Sequence, residues 1–142
     1  MAGEYSIDHT KRPIALQRIF QRIDVWLQEF GFEQAVQKNS HAYRVAGLAE
    51  PNPLCTVQYM DTKGEPYVEL RYFSNVLKAI GAWEVFSAKW DKIESWAEAP
   101  DFVAEVSATG EYKMKFGAET MQDVNRVLKL MSPMMQDAVK IV

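Results

Sequence analysis

Tyr67-Val68-Glu69-Leu70-Arg71-Tyr72-Phe73 reads as a β-strand, with Val68, Leu70 and Tyr72 on one side and Glu69 and Arg71 on the other. Soon after it, Trp83, Phe86, Trp90, Ile93 and Ala97 recur at steps of three and four, the stripe of an amphipathic helix. A switch from period two to period 3.6 predicts a sheet whose apolar side is covered by that helix. Trp83, Trp90 and Trp96 are three of the chain's four tryptophans. Aromatic side chains bury more area than any others, so the cover should rest on Trp83, Phe86, Trp90 and Ile93.

Toward the N-terminus, turn signals at 38–40, 50–53 and 62–66 divide residues 32–73 into three or four antiparallel strands. Tyr43 and Val45 face inward on one, Cys55, Val57 and Tyr59 on the next, and residues 32–37 read as a further strand. Before them, Leu16, Ile19, Phe20, Ile23, Trp26, Leu27 and Phe30 form the stripe of a helix of about five turns. It starts at Pro13 and stops at Gly31. Residues 1–11, which include His9, lack periodicity and read as a loose arm.

Toward the C-terminus, Ser74 is placed to cap the helix after the deciding strand, and Gly81 to divide it. A hairpin follows, 102–107 and 111–116, turned at Thr109-Gly110. Thr120 and Asp123 resemble a capping box at the start of a last helix, which Ser132-Pro133 should interrupt. The whole is a single α+β domain, 1–142, with an antiparallel sheet of about five to six strands covered mainly on one side by three main helices.

At 142 residues, 48% hydrophobic and 25% charged, the composition is that of an ordinary globular domain. A net charge of −3 gives no general attraction to nucleic-acid backbones. Lys11, Arg12, Arg18 and Arg22 read as a solvated helix face. No apolar run is long enough for a membrane span, and the N-terminus has no basic-then-apolar secretory pattern. With a single cysteine, Cys55, a cytoplasmic location is expected.

Chemistry-bearing motifs are few. His9 and His41 are the only histidines, and neither stands at ligand or triad spacing from a cysteine, serine or second histidine. Cys55 falls on an apolar face and reads as core. Asp61 and Glu69-Leu70-Arg71 could bring two carboxylates and a cation together around Mg²⁺. This arrangement resembles the core pattern of the PD-(D/E)xK nucleases over about a dozen residues. It differs in having Arg71 where that pattern has Lys, and only a tight turn after Asp61. The resemblance implies metal-dependent nucleic-acid processing. On residue pattern alone, Glu69 and Arg71 are an exposed same-face ion pair.

Two surfaces remain as candidates. Trp96 is offset from the main stripe, and Glu94, Glu98 and Asp101 gather beside it, so this helix end could dock a protein partner with a basic surface. Met131, Met134, Met135 and Ile141 form an apolar C-terminal cluster that could support a homodimer. The expected function is therefore a non-catalytic interaction protein, such as an adaptor, inhibitor or assembly subunit, with no cofactor and no metal. The alternatives are the Asp61, Glu69 and Arg71 enzyme and a small-ligand pocket lined by Tyr59, Tyr72 and Trp83.

Overall fold

A computed structural model of the chain describes residues 9–62, 64–97 and 101–139. After a 3₁₀ turn at His9–Lys11, the order is α1 (Ile14–Gln28), β1 (Glu33–Val36), β2 (Ser40–Arg44), β3 (Cys55–Thr62), β4 (Glu65–Phe73) and α2 (Ser74–Ala79). It continues with α3 (Trp83–Trp96), β5 (Phe102–Val106), β6 (Glu111–Phe116) and α4 (Met121–Val139). The six strands form one open antiparallel sheet in the order β1-β2-β3-β4-β6-β5. The expected α+β architecture is the observed one.

Side-chain alternation sorts the two faces. Tyr43, Cys55, Val57, Val68, Leu70, Tyr72, Met114 and Phe116 are fully buried on one side, beneath α1, α3 and α4. Each apolar side chain so buried contributes about 1.5–3 kcal/mol. The other face keeps Gln58, Met60, Tyr67, Arg71, Lys113 and Lys115 only half-buried. From α1, the core receives Leu16, Ile19, Phe20, Ile23, Trp26 and Leu27. From α3 come Phe86, Trp90 and Ile93. Phe86 sits at the centre of that contact, 5.1 Å from the Tyr72 ring and 5.1 Å from the Tyr112 ring.

Several local expectations are corrected. The first helix has 15 residues, about four turns rather than five. His9 does not lie in a loose arm: it bonds the Tyr59 hydroxyl at 2.6 Å, while residues 1–8 lie outside the described ones. Ser74 caps nothing, because it is already the first residue of α2, and its N–H is donated to the Gly110 carbonyl at 3.3 Å. Gly110 has φ +82°, and a Cβ there would lie 2.7 Å from the Ser74 hydroxyl, so the β5–β6 turn can approach only as glycine. Thr120 turns its hydroxyl back to the Gly117 carbonyl at 2.8 Å and makes no capping box.

The expected break at Ser132-Pro133 does not occur, and α4 runs through Pro133. A proline inside a helix removes one backbone donor and crowds the carbonyls of the preceding turn. Neighbouring helices supply polar groups there. Trp26 of α1 donates to the Ser132 hydroxyl at 2.9 Å, Ser132 donates to the Leu128 carbonyl at 2.6 Å, and Lys89 of α3 donates to the Leu130 carbonyl at 2.9 Å. The proline turn is thereby the point where α1, α3 and α4 are tied together.

Replacing Phe86 by alanine removes the ring shared by α3, β4 and β6. The expected loss is about 3–5 kcal/mol of unfolding free energy, seen as a lower urea midpoint with an unchanged slope.

Candidate functional site

Two places concentrate chemistry: a buried polar cluster between α1 and β2, and the margin of the sheet at β5. The first is built on Asp24, which projects from the apolar stripe of α1 and is 8% exposed. Its carboxylate accepts from His41 Nδ1 at 2.8 Å, from Gln28 Nε2 at 3.1 Å and, through a very short bond, from the Tyr43 hydroxyl. Gln34 of β1 donates to the same hydroxyl at 2.7 Å. A paired Asp and His is the arrangement that orients a catalytic imidazole. Here, however, the ring packed edge-on against His41 is Phe20, with centroids 5.4 Å apart, and it offers neither nucleophile nor proton. The other side of this layer is equally closed. Phe20 stacks on Tyr59 at 4.5 Å, and the Arg12 guanidinium lies 4.8 Å from the Tyr59 ring centre.

The phenols and the thiol here are held protonated. Burial, with the Asp24 carboxylate beside it, pushes the Tyr43 phenol well above its ordinary range, and burial takes Tyr59 up to about 12. Burial also raises Tyr72 and the Cys55 thiol. A thiol kept protonated in the core is a small hydrophobe and a poor nucleophile. The cluster is a polar tie between helix and sheet.

The expected metal arrangement is not assembled. Asp61 pairs across the ladder with Pro66, in the same phase as Tyr59 opposite Val68, so it belongs to the helix-side parity. Glu69 pairs with Gln58 and points to the opposite face. The two carboxylates therefore lie on different sides of the sheet. Nor is Glu69 an exposed partner of Arg71. It is 1% exposed, and one oxygen takes Arg71 Nε and Nη2, both at 2.8 Å, and Gln58 Nε2 at 3.3 Å. Arg71 reaches on to Glu111 at 2.7 Å. The Thr109 hydroxyl, with help from Arg71, keeps the Glu111 carboxyl below the usual carboxylate range. Among the described residues no group of three or more His, Cys, Asp or Glu could hold a metal ion. The suggested ligand pocket is not formed either: Tyr72 is fully buried against Phe86, Tyr59 is covered by Phe20, and Trp83 packs on Tyr112.

The two candidate surfaces differ: at the helix end Glu94 and Asp101 are exposed, whereas the methionine cluster is not. Trp96 is half-buried, with the Arg126 guanidinium of α4 4.2 Å from its ring centre. Met131, Met134 and Met135 are buried in the chain's own core, so they cannot present a self-association face. Glu98 and Ile141 lie outside the described residues.

What stands open is the β5 margin. Glu94 on α3, Asp101 and Glu105 are exposed around it, and so are Val103 (37%) and Val106 (47%). Glu94 lies near enough to Tyr112 of β6 to add to the upward shift that burial gives that phenol. Glu105 bonds Lys115 at 2.7 Å and raises that amine above its ordinary value. An open cleft of about 950 Å³ adjoins the margin, lined in part by Pro66, Tyr67, Asp101, Val103, Lys115 and Glu119. No protein family, curated protein or solved structure matches the chain, so function has to be argued from this chemistry.

Sequence reasoning named Glu94 and Asp101 but missed the Asp24 cluster and the exposed valines of β5. Asp24 carried a signal, an acid four residues after Phe20 and three before Leu27 inside an apolar stripe. The exposed valines carried none, because alternation does not say which strand ends the sheet.

Removing the Asp24 carboxylate leaves Tyr43 and His41 without their shared acceptor. Asp24→Ala should cost about 3 kcal/mol in urea unfolding, and Asp24→Asn clearly less. The raised phenols bind their protons more tightly folded than unfolded. The stability they lend is complete below about pH 10, the ordinary tyrosine value, and is lost as pH climbs through the folded value of about 12 for Tyr59. Phenolate absorbance and loss of ellipticity should therefore rise together above pH 10 in one cooperative step.

Proposed function

We propose that the protein acts by binding another protein, and that the contact surface is the acidic margin formed by α3 and β5. One observation carries this reading: two large apolar side chains, Val103 and Val106, stand exposed on a terminal strand among Glu94, Asp101 and Glu105. Apolar contact supplies affinity at such a surface, while the surrounding charge steers encounter and selects the partner. The acids favour a partner with a basic surface and repel phosphate backbones.

Catalysis has no comparable support. His41 and Tyr43 are tied in the Asp24 cluster, and the Cys55 thiol is kept protonated by burial. Glu94 and Asp101 remain in the binding reading. Trp96 acts on it indirectly, by fixing the end of α3 against Arg126.

The test is affinity capture from host lysate with three baits: wild type, Glu94→Lys with Asp101→Lys, and Glu29→Lys with Glu33→Lys as a matched charge change at the far edge. The expected result is a partner recovered by wild type and by the far-edge variant, and reduced at least tenfold by the margin variant. Equal recovery by all three baits, or no partner above bare resin, would overturn the proposal.

A further inference from the structure

The β5 margin is an edge as well as a surface, and its hydrogen-bond phase can be worked out. Ser107 N–H donates to the Glu111 carbonyl at 2.9 Å, and Gly117 N–H to the Asp101 carbonyl at 2.7 Å. In an antiparallel ladder such bonded pairs recur every second residue, so the backbone groups of residues 101, 103, 105 and 107 are turned toward β6. The N–H and C=O groups of Phe102, Ala104 and Val106 are turned the other way; Phe102 has no exposed surface, so the open groups are those of Ala104 and Val106. β5 is last in the strand order, so among the described residues no strand receives them.

The opposite edge is less available. β1 has four residues, its Gln34 side chain is committed to Tyr43, and Lys38 follows it. Short edges and nearby lysines are the usual protection against strand addition. β5, one residue longer, has no lysine or proline of its own, and it carries the exposed valines.

Resting on the binding reading above, we infer that the partner docks by adding one extended, basic segment as a seventh strand, antiparallel to β5 and centred on Ala104. Ladder parity then assigns its side chains. Positions opposite Asp101 and Glu105 project on the open face and take Lys or Arg. The position between them, opposite Val103, takes an apolar residue, and so does the position opposite Val106 on the helix side. The Glu105 carboxylate is already oriented by Lys115, which leaves it placed to accept a second cation. Charge also selects this occupant over a second copy of the chain. Two-fold pairing about Ala104 would set Glu105 against Val103 of the other copy and bring both sets of acids together, whereas a basic strand neutralises them.

The probe is the peptide acetyl-Val-Lys-Thr-Val-Thr-Lys-amide, titrated into the protein by NMR. N-methylation of its third residue, which faces Ala104, should weaken binding at least tenfold. N-methylation of the fourth, whose N–H points away, should change it less than threefold. Amide exchange should slow on binding at Ala104 and Val106 and stay unchanged at Val103 and Glu105, which already bond β6. Ala104→Pro removes an edge donor and no β5–β6 bond, so it should abolish binding while the spectrum elsewhere is retained. The exchange pattern decides the matter if that variant does not fold.

Strand addition is overturned by no saturable binding, by equal binding of the Val-Glu-Thr-Val-Thr-Glu counterpart, or by binding without selective protection of the Ala104 and Val106 amides. It is overturned as well if sedimentation shows a wild-type dimer that Ala104→Pro dissociates, since the occupant is then a second copy. Failure here with a successful Glu94 and Asp101 capture result leaves the acidic surface intact and removes only the strand. Failure of both removes the surface.

Discussion

Every layer of this protein depends on the pleat of β4. A strand presents alternate side chains to opposite faces, so Val68, Leu70 and Tyr72 can enter one core only if Glu69 and Arg71 leave it. β4 also joins the two halves of the sheet, pairing with β3 on one side and β6 on the other. A register slip of one residue would put Glu69 beneath the helices and break both ladders' facing together. The helix pair that follows β4 in sequence folds back on this face, which places Phe86 over Tyr72 without a long connection.

The two buried acids enforce that arrangement in different ways. Glu69 sits in the middle of the helix-free face, yet its neighbours close over it, and Gln58 directly opposite contributes one of its donors. Shifting β3 against β4 would cost that donor and leave a desolvated carboxylate less well paired. Asp24 serves the same purpose between layers. Its partners come from α1 itself and from β2, while Gln34 of β1 completes the set through Tyr43. A buried charge adds little net stability when fully paired, but losing a partner is expensive. Both acids therefore select one register and one helix position, and the apolar contacts supply the stability.

Periodicity made most of the architecture legible because burial here is one-sided. The inward sets on β2, β3, β4 and β6 follow directly from alternation, as do the stripes of α1 and α3. Local polar motifs misled for a common reason. Ser74, Thr120 and Ser132 each have the hydroxyl that helix starts favour, but the Thr120 and Ser132 hydroxyls turn back to the Gly117 and Leu128 carbonyls, and Ser74 lies inside its helix. Pro133 could stay within α4 because Trp26 and Lys89 supply polar contacts to that turn, residues more than forty positions distant or on another helix. Asp61 and Glu69 looked close because the hairpin between them is short. Parity alone, counted through the turn, would have separated them. The Met131, Met134 and Met135 cluster reads equally well as core or surface until the position of α1 is known, because α1 is what covers that end of α4.

Strand order is the part that alternation cannot supply, and it is strand order that creates the exposed margin. β6 follows β5 by a tight turn and yet inserts between it and β4, setting Phe116 and Met114 opposite Val68 and Leu70 in the interior, with Phe102 of β5 stacked on Phe116. β5 has Ala104 at the corresponding place and accepts the edge. Leaving β-branched residues on an edge invites pairing, and the usual protection is lysine or proline on the strand itself. The charges gathered here are carboxylates on α3 and on β5. They discourage pairing with another copy of the same acidic chain without discouraging a basic strand. An edge blunted by lysine is closed to its own kind and open to acids; this one has the opposite polarity, and that polarity is the reason to read it as a site.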